Sequence, residues 1–237
     1  MSQRILFVLS SAEKSLQGDP TGWYLPEAAH PYYVLSPHFA IDFAAPGGPN
    51  PPMDPSSQER FGDDEECKRF LNDPDARNLL ENAKFMTTVN ANDYDAIYYV
   101  GGRGPVIDLP EYKTNIQLAY EFYRTHKLVS AVCHGPAALV WVTDEDGKSI
   151  FNGKNVTGFS NAEEEEIGNV QAIPFLLEDR IKLLGGTYEK ANENFDPKVV
   201  CAGNLITGQN PASARPLAEE IKKWLQANKR AKAPANH

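Results

Sequence analysis

Residues 128–136, LVSAVCHGP, decide how this chain is read. An apolar run stops at Cys133, His134 follows at once, and Gly135-Pro136 then breaks the pattern. A short buried strand that ends in a tight turn and re-enters a helix lifts the side chain at the turn into a cleft. The start of the following helix favours negative charge, so a cysteine placed there is a candidate thiolate nucleophile.

Similar runs recur on either side of this stretch. ILFVLS (5–10), FAIDFAAP (39–46), YDAIYYVGG (94–102), LVSAVC (128–133) and NVTGF (155–159) are nearly continuous in apolar residues and rich in β-branched or aromatic ones. Strands of that kind alternating with helices form a parallel sheet covered on both faces, an α/β sandwich. Helices are expected over 25–36, 111–126, 134–142, 161–168, 170–185 and 211–227, the last with Leu217, Ile221, Trp224 and Leu225 on one stripe. In VVCAGNLITGQ (199–209) two apolar runs flank Gly203-Asn204 at hairpin spacing, which predicts an antiparallel excursion near the sheet edge. Residues 46–57, PGGPNPPMDPSS, are followed by a polar, acidic stretch. The whole of 46–87 reads as a partly helical insertion that sits over the cleft as a lid. The tail NKRAKAPANH (228–237) is expected to fray.

The chain has 237 residues, 41% of them hydrophobic, enough for one sizeable core without a second domain. Its formal charge is −9, and no basic stripe follows any face, so nucleic acid is not expected as a partner. The first apolar run is too short for a signal peptide or a membrane span. Three cysteines, at 67, 133 and 201, are widely spaced and form no CxxC pair, which suits a reducing compartment better than a disulfide framework or a zinc site. A cytoplasmic location is expected, with the nucleus as an alternative.

Sites in open α/β sheets gather at the carboxyl ends of the strands. Cys133 and His134 end one strand, Gly101-Gly102-Arg103-Gly104 another, and Ser160-Asn161 with Glu163 to Glu166 a third. Glu27 opens the first crossover helix. A lone cysteine in an apolar strand is more often a structural thiol, but the neighbours of Cys133 favour catalysis. The His134 N–H can point into the site as an oxyanion donor, and its imidazole can act as acid or base if a carboxylate orients it. GGRG is not the GxGxxG of a dinucleotide loop, and no acidic residue follows where a ribose would need one. A glycine of the Gly101-Gly102 pair instead lets a second backbone N–H turn into the pocket. Glu163 to Glu166 fan around a helix start, so one of them faces the protein and can orient His134. His30, His38, His126 and His237 have no comparable setting, no spacing suggests a metal cage, and Cys67 and Cys201 receive no role beyond oxidation.

Five elements, PEAAHP (26–31), GGRGPVIDLPEY (101–112), AVCHGP (131–136), NGKNVTGFSNAEEE (152–165) and TGQNPAS (207–213), occur in the order and approximate spacing of the ThiJ/PfpI superfamily. The chain resembles its heat-shock-chaperone-like branch, the glutathione-independent glyoxalases or glyoxalase III enzymes, fungal members above all. The resemblance covers nearly the full chain and is weakest over 46–90. It implies a flavodoxin-like α/β sandwich, a single class I glutamine-amidotransferase-like domain with a small inserted cap, and usually a homodimer. It makes Cys133 the nucleophile, His134 its partner, Glu27 the carboxyl group beside the sulfur and Glu164 the third triad member. Gly102 and His134 form the oxyanion hole. The larger bacterial chaperone forms look to have metal ligands in a longer N-terminal extension, and no such ligand set is present in this sequence.

The activity implied is conversion of methylglyoxal, a small 2-oxoaldehyde, and water to D-lactate, without glutathione, metal or other cofactor. Alternatives within the same family are a holdase chaperone for unfolded-protein clients and a cysteine-based sensor of oxidative stress.

Overall fold

A computed structural model describes residues 2–229. The expected fraying of 228–237 therefore falls almost wholly outside the described residues, as does His237. The chain runs β1 (Arg4–Val8), α1 (Leu25–Leu35), β2 (Ala40–Ala45), α2 (Pro55–Phe61), α3 (Glu65–Asn72), α4 (Pro74–Glu81), β3 (Lys84–Phe85) and β4 (Ala96–Tyr99). It continues through α5 (Gly104–Asp108), α6 (Lys113–Arg124), β5 (Leu128–Val132), β6 (Asn155–Val156), α7 (Asn161–Glu166), α8 (Leu177–Leu183), β7 (Thr187–Tyr188), β8 (Val199–Ala202), β9 (Leu205–Gly208) and α9 (Ala214–Ala227).

The main sheet has the order β3-β2-β1-β4-β5-β9-β8, parallel except for the β8–β9 hairpin at one edge. It is the α/β sandwich expected from the alternation of apolar runs and helices, in the flavodoxin-like form that the family resemblance implies. Strand pleating sorts β1 between two cores. Ile5, Phe7 and Leu9 point to the face covered by α1 and α9, where they meet Leu25, Leu217 and Ile221. Leu6 and Val8 point to the opposite face, against Leu118 and Phe122 of α6. Each fully buried side chain of this size contributes about 1.5–3 kcal/mol of hydrophobic stabilisation, so a strand apolar on both faces belongs at the sheet centre.

Three expected elements differ. The helix over 134–142 shrinks to one 3₁₀ turn, Gly135–Leu139. Gly135 lies so close to β4 that a Cβ there would sit 2.6 Å from the Tyr99 carbonyl, and buried Asn115 of α6 donates to the Ala138 carbonyl at 2.7 Å. The strand over 155–159 keeps only β6, which pairs with β7 in a separate two-stranded parallel ribbon. The rest of it passes the sheet end, where the Thr157 N–H donates to Thr207 Oγ1 and the Phe159 N–H to the Cys133 carbonyl. The helix over 170–185 begins only at Leu177, because Pro174 disfavours helix in the residue before it and lacks an N–H.

The hairpin lies where Gly203-Asn204 places it, with Gly203 at φ +69 in the turn. The proline-rich and acidic stretch 46–87 contains α2, α3 and α4. Each is capped by an aspartate, Asp54, Asp64 and Asp73, whose carboxylate accepts first-turn N–H groups. Cys67 and Phe70 of α3 are fully buried with Trp23, Tyr32 and Phe43, so this stretch shares the main core. Among the described residues no helix is long and apolar enough to cross a membrane.

Candidate active site

β5 delivers Cys133 to the carboxyl edge of the sheet, between β4 and β9. The Cys133 N–H donates to the Gly208 carbonyl at 2.9 Å, its carbonyl accepts from the Phe159 N–H at 2.8 Å, and its φ is +59. A non-glycine residue in the left-handed region is uncommon and costs on the order of 1 kcal/mol, which these two clamps offset. The strain turns the side chain out of the strand into a cleft of about 1020 Å³ whose wall includes Gly102, Cys133, His134 and Phe159.

His134 Nδ1 lies 3.4 Å from Cys133 Sγ, and His134 Nε2 lies 2.6 Å from Glu164 Oε2. With the Nε2 proton donated to the carboxylate, Nδ1 is left as the acceptor facing the thiol. The expected ambiguity among four glutamates resolves by contact. Glu163 closes a capping box with Ser160, and its other oxygen accepts from the Phe195 N–H at 2.9 Å and from Asn210 at 2.8 Å. Glu166 accepts from Asn194, and Glu165 is exposed. Glu164, one residue and about a quarter-turn on from Glu163, is the one that meets His134.

Glu27 sits in the first turn of α1 and is completely buried. Its main chain is held by Tyr98, whose hydroxyl donates to the Glu27 carbonyl at 2.7 Å. Its carboxyl group abuts Gly101 and Cys133. A Cβ on Gly101 would collide with Glu27 Oε2 and lie 2.8 Å from the Cys133 Cβ. Among the described residues neither carboxyl oxygen has a partner of good hydrogen-bond geometry, so the approach to the sulfur is close without being a well-aligned bond. Burial pushes the Glu27 carboxyl well above the usual range, and the Gly101 N–H and the cysteine only partly oppose it. Burial also raises the Cys133 thiol, with the negative charge of Glu27 adding to it and the Gly102 N–H pulling down. Both shifts favour the neutral forms of the pair. With Glu27 protonated, as burial favours, its contribution against the thiolate vanishes and its O–H becomes a donor to sulfur.

Gly102 has φ +102, and a Cβ there would strike the Gly22 carbonyl and come within 3.0 Å of the Tyr24 nitrogen. Only glycine fits. Among the described residues, neither the Gly102 nor the His134 amide donates to another backbone group. All five residues singled out from the sequence, Glu27, Gly102, Cys133, His134 and Glu164, are thus brought together, with Glu27 and Glu164 beneath the cleft floor and the other three on it.

The sequence reading passed over Arg103, although it lies between two of the strand-end glycines. It donates to the Pro20 carbonyl at 3.1 Å and to Asp54 at 3.2 Å, tying the loop after β4 to the cap of α2. Asp54 is almost fully buried and pairs with Arg103 at the cleft wall. A charged residue directly after strand-end glycines was the available signal; its partner, 49 residues away in sequence, had none.

The DJ-1/PfpI family model matches residues 78–223. Glutathione-independent glyoxalase HSP31 of Saccharomyces cerevisiae is 31% identical over 91% of this chain and 95% of its own length. Glyoxalase 3 of Candida albicans is 30% identical over 95% of this chain and 99% of its own. Among solved structures, glyoxalase III from Candida albicans superposes with a TM-score of 0.85 at 27% identity, covering 93% of this chain and 96% of that one. The Rapid Encystment Protein 24 kDa of Francisella tularensis superposes at 0.89 with 34% identity, covering 94% and 99%.

Proposed function

Because the chain belongs to the DJ-1/PfpI family and is similar along its length to glutathione-independent glyoxalases, we propose that it converts methylglyoxal and water to D-lactate at Cys133. The observation that carries this is the placement of the cysteine. It stands at a left-handed elbow on the cleft floor, between a buried carboxyl group and an imidazole oriented by Glu164.

His134 Nδ1 takes the Cys133 proton as the sulfur attacks the aldehyde carbon, C1, and passes it to the hemithioacetal oxygen that forms within reach of the Gly102 and His134 amides. A base removes the C1 proton to give an enediol, and the proton returns to C2. Glu27, held protonated by burial, and His134 Nδ1 are the two groups beside the sulfur that can make this transfer. The C1–S bond is then that of a thioester. Water attacks it, the thiol leaves with a proton, and the hydroxy acid departs. The overall change is an internal redox of the substrate plus one water, so no outside electron carrier enters the balance.

Glu27→Gln preserves shape and removes the titrating proton. Turnover is expected to fall about 10²–10⁴-fold, the usual worth of a positioned acid or base, with the thermal unfolding midpoint near that of the wild type. Near-normal turnover in the folded variant contradicts the role given to Glu27.

A further inference from the structure

The reaction leaves unused a trio at the contact between α1 and α3. His30 lies one turn beyond Glu27 on α1. Its Nε2 is 3.0 Å from Oδ1 of Asp64, which caps α3, and the first turn of α3 carries the fully buried Cys67. One imidazole nitrogen, one carboxylate oxygen and one sulfur all lie within 4.8 Å of one another, and among the described residues no other trio of this kind occurs.

We propose that His30, Asp64 and Cys67 bind a zinc-class divalent cation, with an open coordination position towards the cleft wall to which His30 belongs. The donor set argues for this class. Thiolate with imidazole selects zinc-like ions over magnesium or calcium, which prefer all-oxygen cages. Metal–ligand bonds of about 2.0–2.3 Å place tetrahedral ligands roughly 3.3–3.8 Å apart, a spacing this trio reaches by small side-chain rotations. The charges also balance. Cys67 gives up its S–H proton to solvent as the sulfur–metal bond forms, Asp64 is already ionised, His30 offers a neutral nitrogen, and two negative ligands neutralise the +2 ion. Without an ion, burial and the adjacent Asp64 carboxylate both disfavour a Cys67 thiolate. A cation turns that like-charge contact into shared coordination. Both helices belong to the main core, so the ligands start from fixed positions.

The test is titration of the chelator-treated full chain with Co²⁺, followed by thiolate-to-cobalt charge-transfer absorption, and with Zn²⁺, followed by the thermal unfolding midpoint. One equivalent of Co²⁺ per chain is expected, together with a rise in midpoint with Zn²⁺. Cys67→Ser should abolish the charge-transfer band. His30→Gln, which keeps Cys67 in its packing, should weaken binding at least tenfold, whereas Cys133→Ser should retain both signals. Absence of saturable binding to the wild type overturns the proposal. So does a band that survives Cys67→Ser or that disappears in Cys133→Ser or Cys201→Ser. The readouts are independent of turnover, so failure here leaves the glyoxalase reading untouched, and the converse holds.

Discussion

Glu163 and Glu164 are adjacent and both buried, yet their surroundings give them separate tasks. Glu164 faces His134 Nε2 and fixes the tautomer that leaves Nδ1 towards the thiol. Glu163 holds the start of α7 and ties it to Phe195 and Asn210. Glu164→Gln is therefore expected to lower kcat by about 10²-fold or more while shifting stability little. Glu163→Gln should cost about 1–2 kcal/mol of stability through the capping box and its extra bonds, with a smaller effect on kcat. Parallel kinetics and thermal unfolding of both variants distinguish them, and the reverse pattern would contradict the assignment. Cys133 and His134 stood out in the sequence because they are adjacent residues at a strand end. From the residues alone Glu164 was legible only as one of four, since choosing among consecutive glutamates needs the rotation of the helix relative to His134; the family resemblance is what pointed to it.

At the scale of elements, the loop after β1 is fastened to the end of α5 by Asp108, which accepts from Ser10 Oγ at 2.9 Å and from the Ser11 N–H at 2.7 Å. Burial raises this carboxyl group to about 6, against the downward pull of those two donors. The folded state thus keeps a proton that the unfolded chain releases near the ordinary aspartate value. The associated stability is complete below about pH 4 and is lost as pH rises through about 6. Asp108→Asn should flatten stability against pH across that window, where the shift corresponds to at most about 3 kcal/mol before allowance for solvent access. Denaturant unfolding at several pH values reads it, and an unchanged slope in the variant would refute the assignment. Element order followed from apolar periodicity, but element ends did not. Pro174 delays α8, Gly135 packed on the Tyr99 carbonyl leaves one 3₁₀ turn, and 157–159 bonds to Thr207 and Cys133 instead of joining the sheet. Each of these outcomes depends on a tertiary neighbour that the local pattern does not contain.

Across the whole molecule, the central parallel sheet carries every strand-end residue to one edge, and the crossover through α1 brings Glu27 under it from more than a hundred residues away in sequence. Glu27 lies outside the 78–223 span matched by the family model, and it enters the site through packing: Tyr98 holds its carbonyl and Gly101 leaves room for its carboxyl group. The aspartate-capped helices of 55–81 join the same core through Phe70, an arrangement that the polar composition of that stretch concealed. In the proposed reaction Cys133 is the group that bonds to substrate. The most direct test is D-lactate formation from methylglyoxal by purified wild type and by Cys133→Ala, without glutathione. Stereospecific D-lactate from the wild type, with none above background from an equally folded Cys133→Ala, is the predicted result. Comparable product from the variant, or none from the wild type, would contradict it.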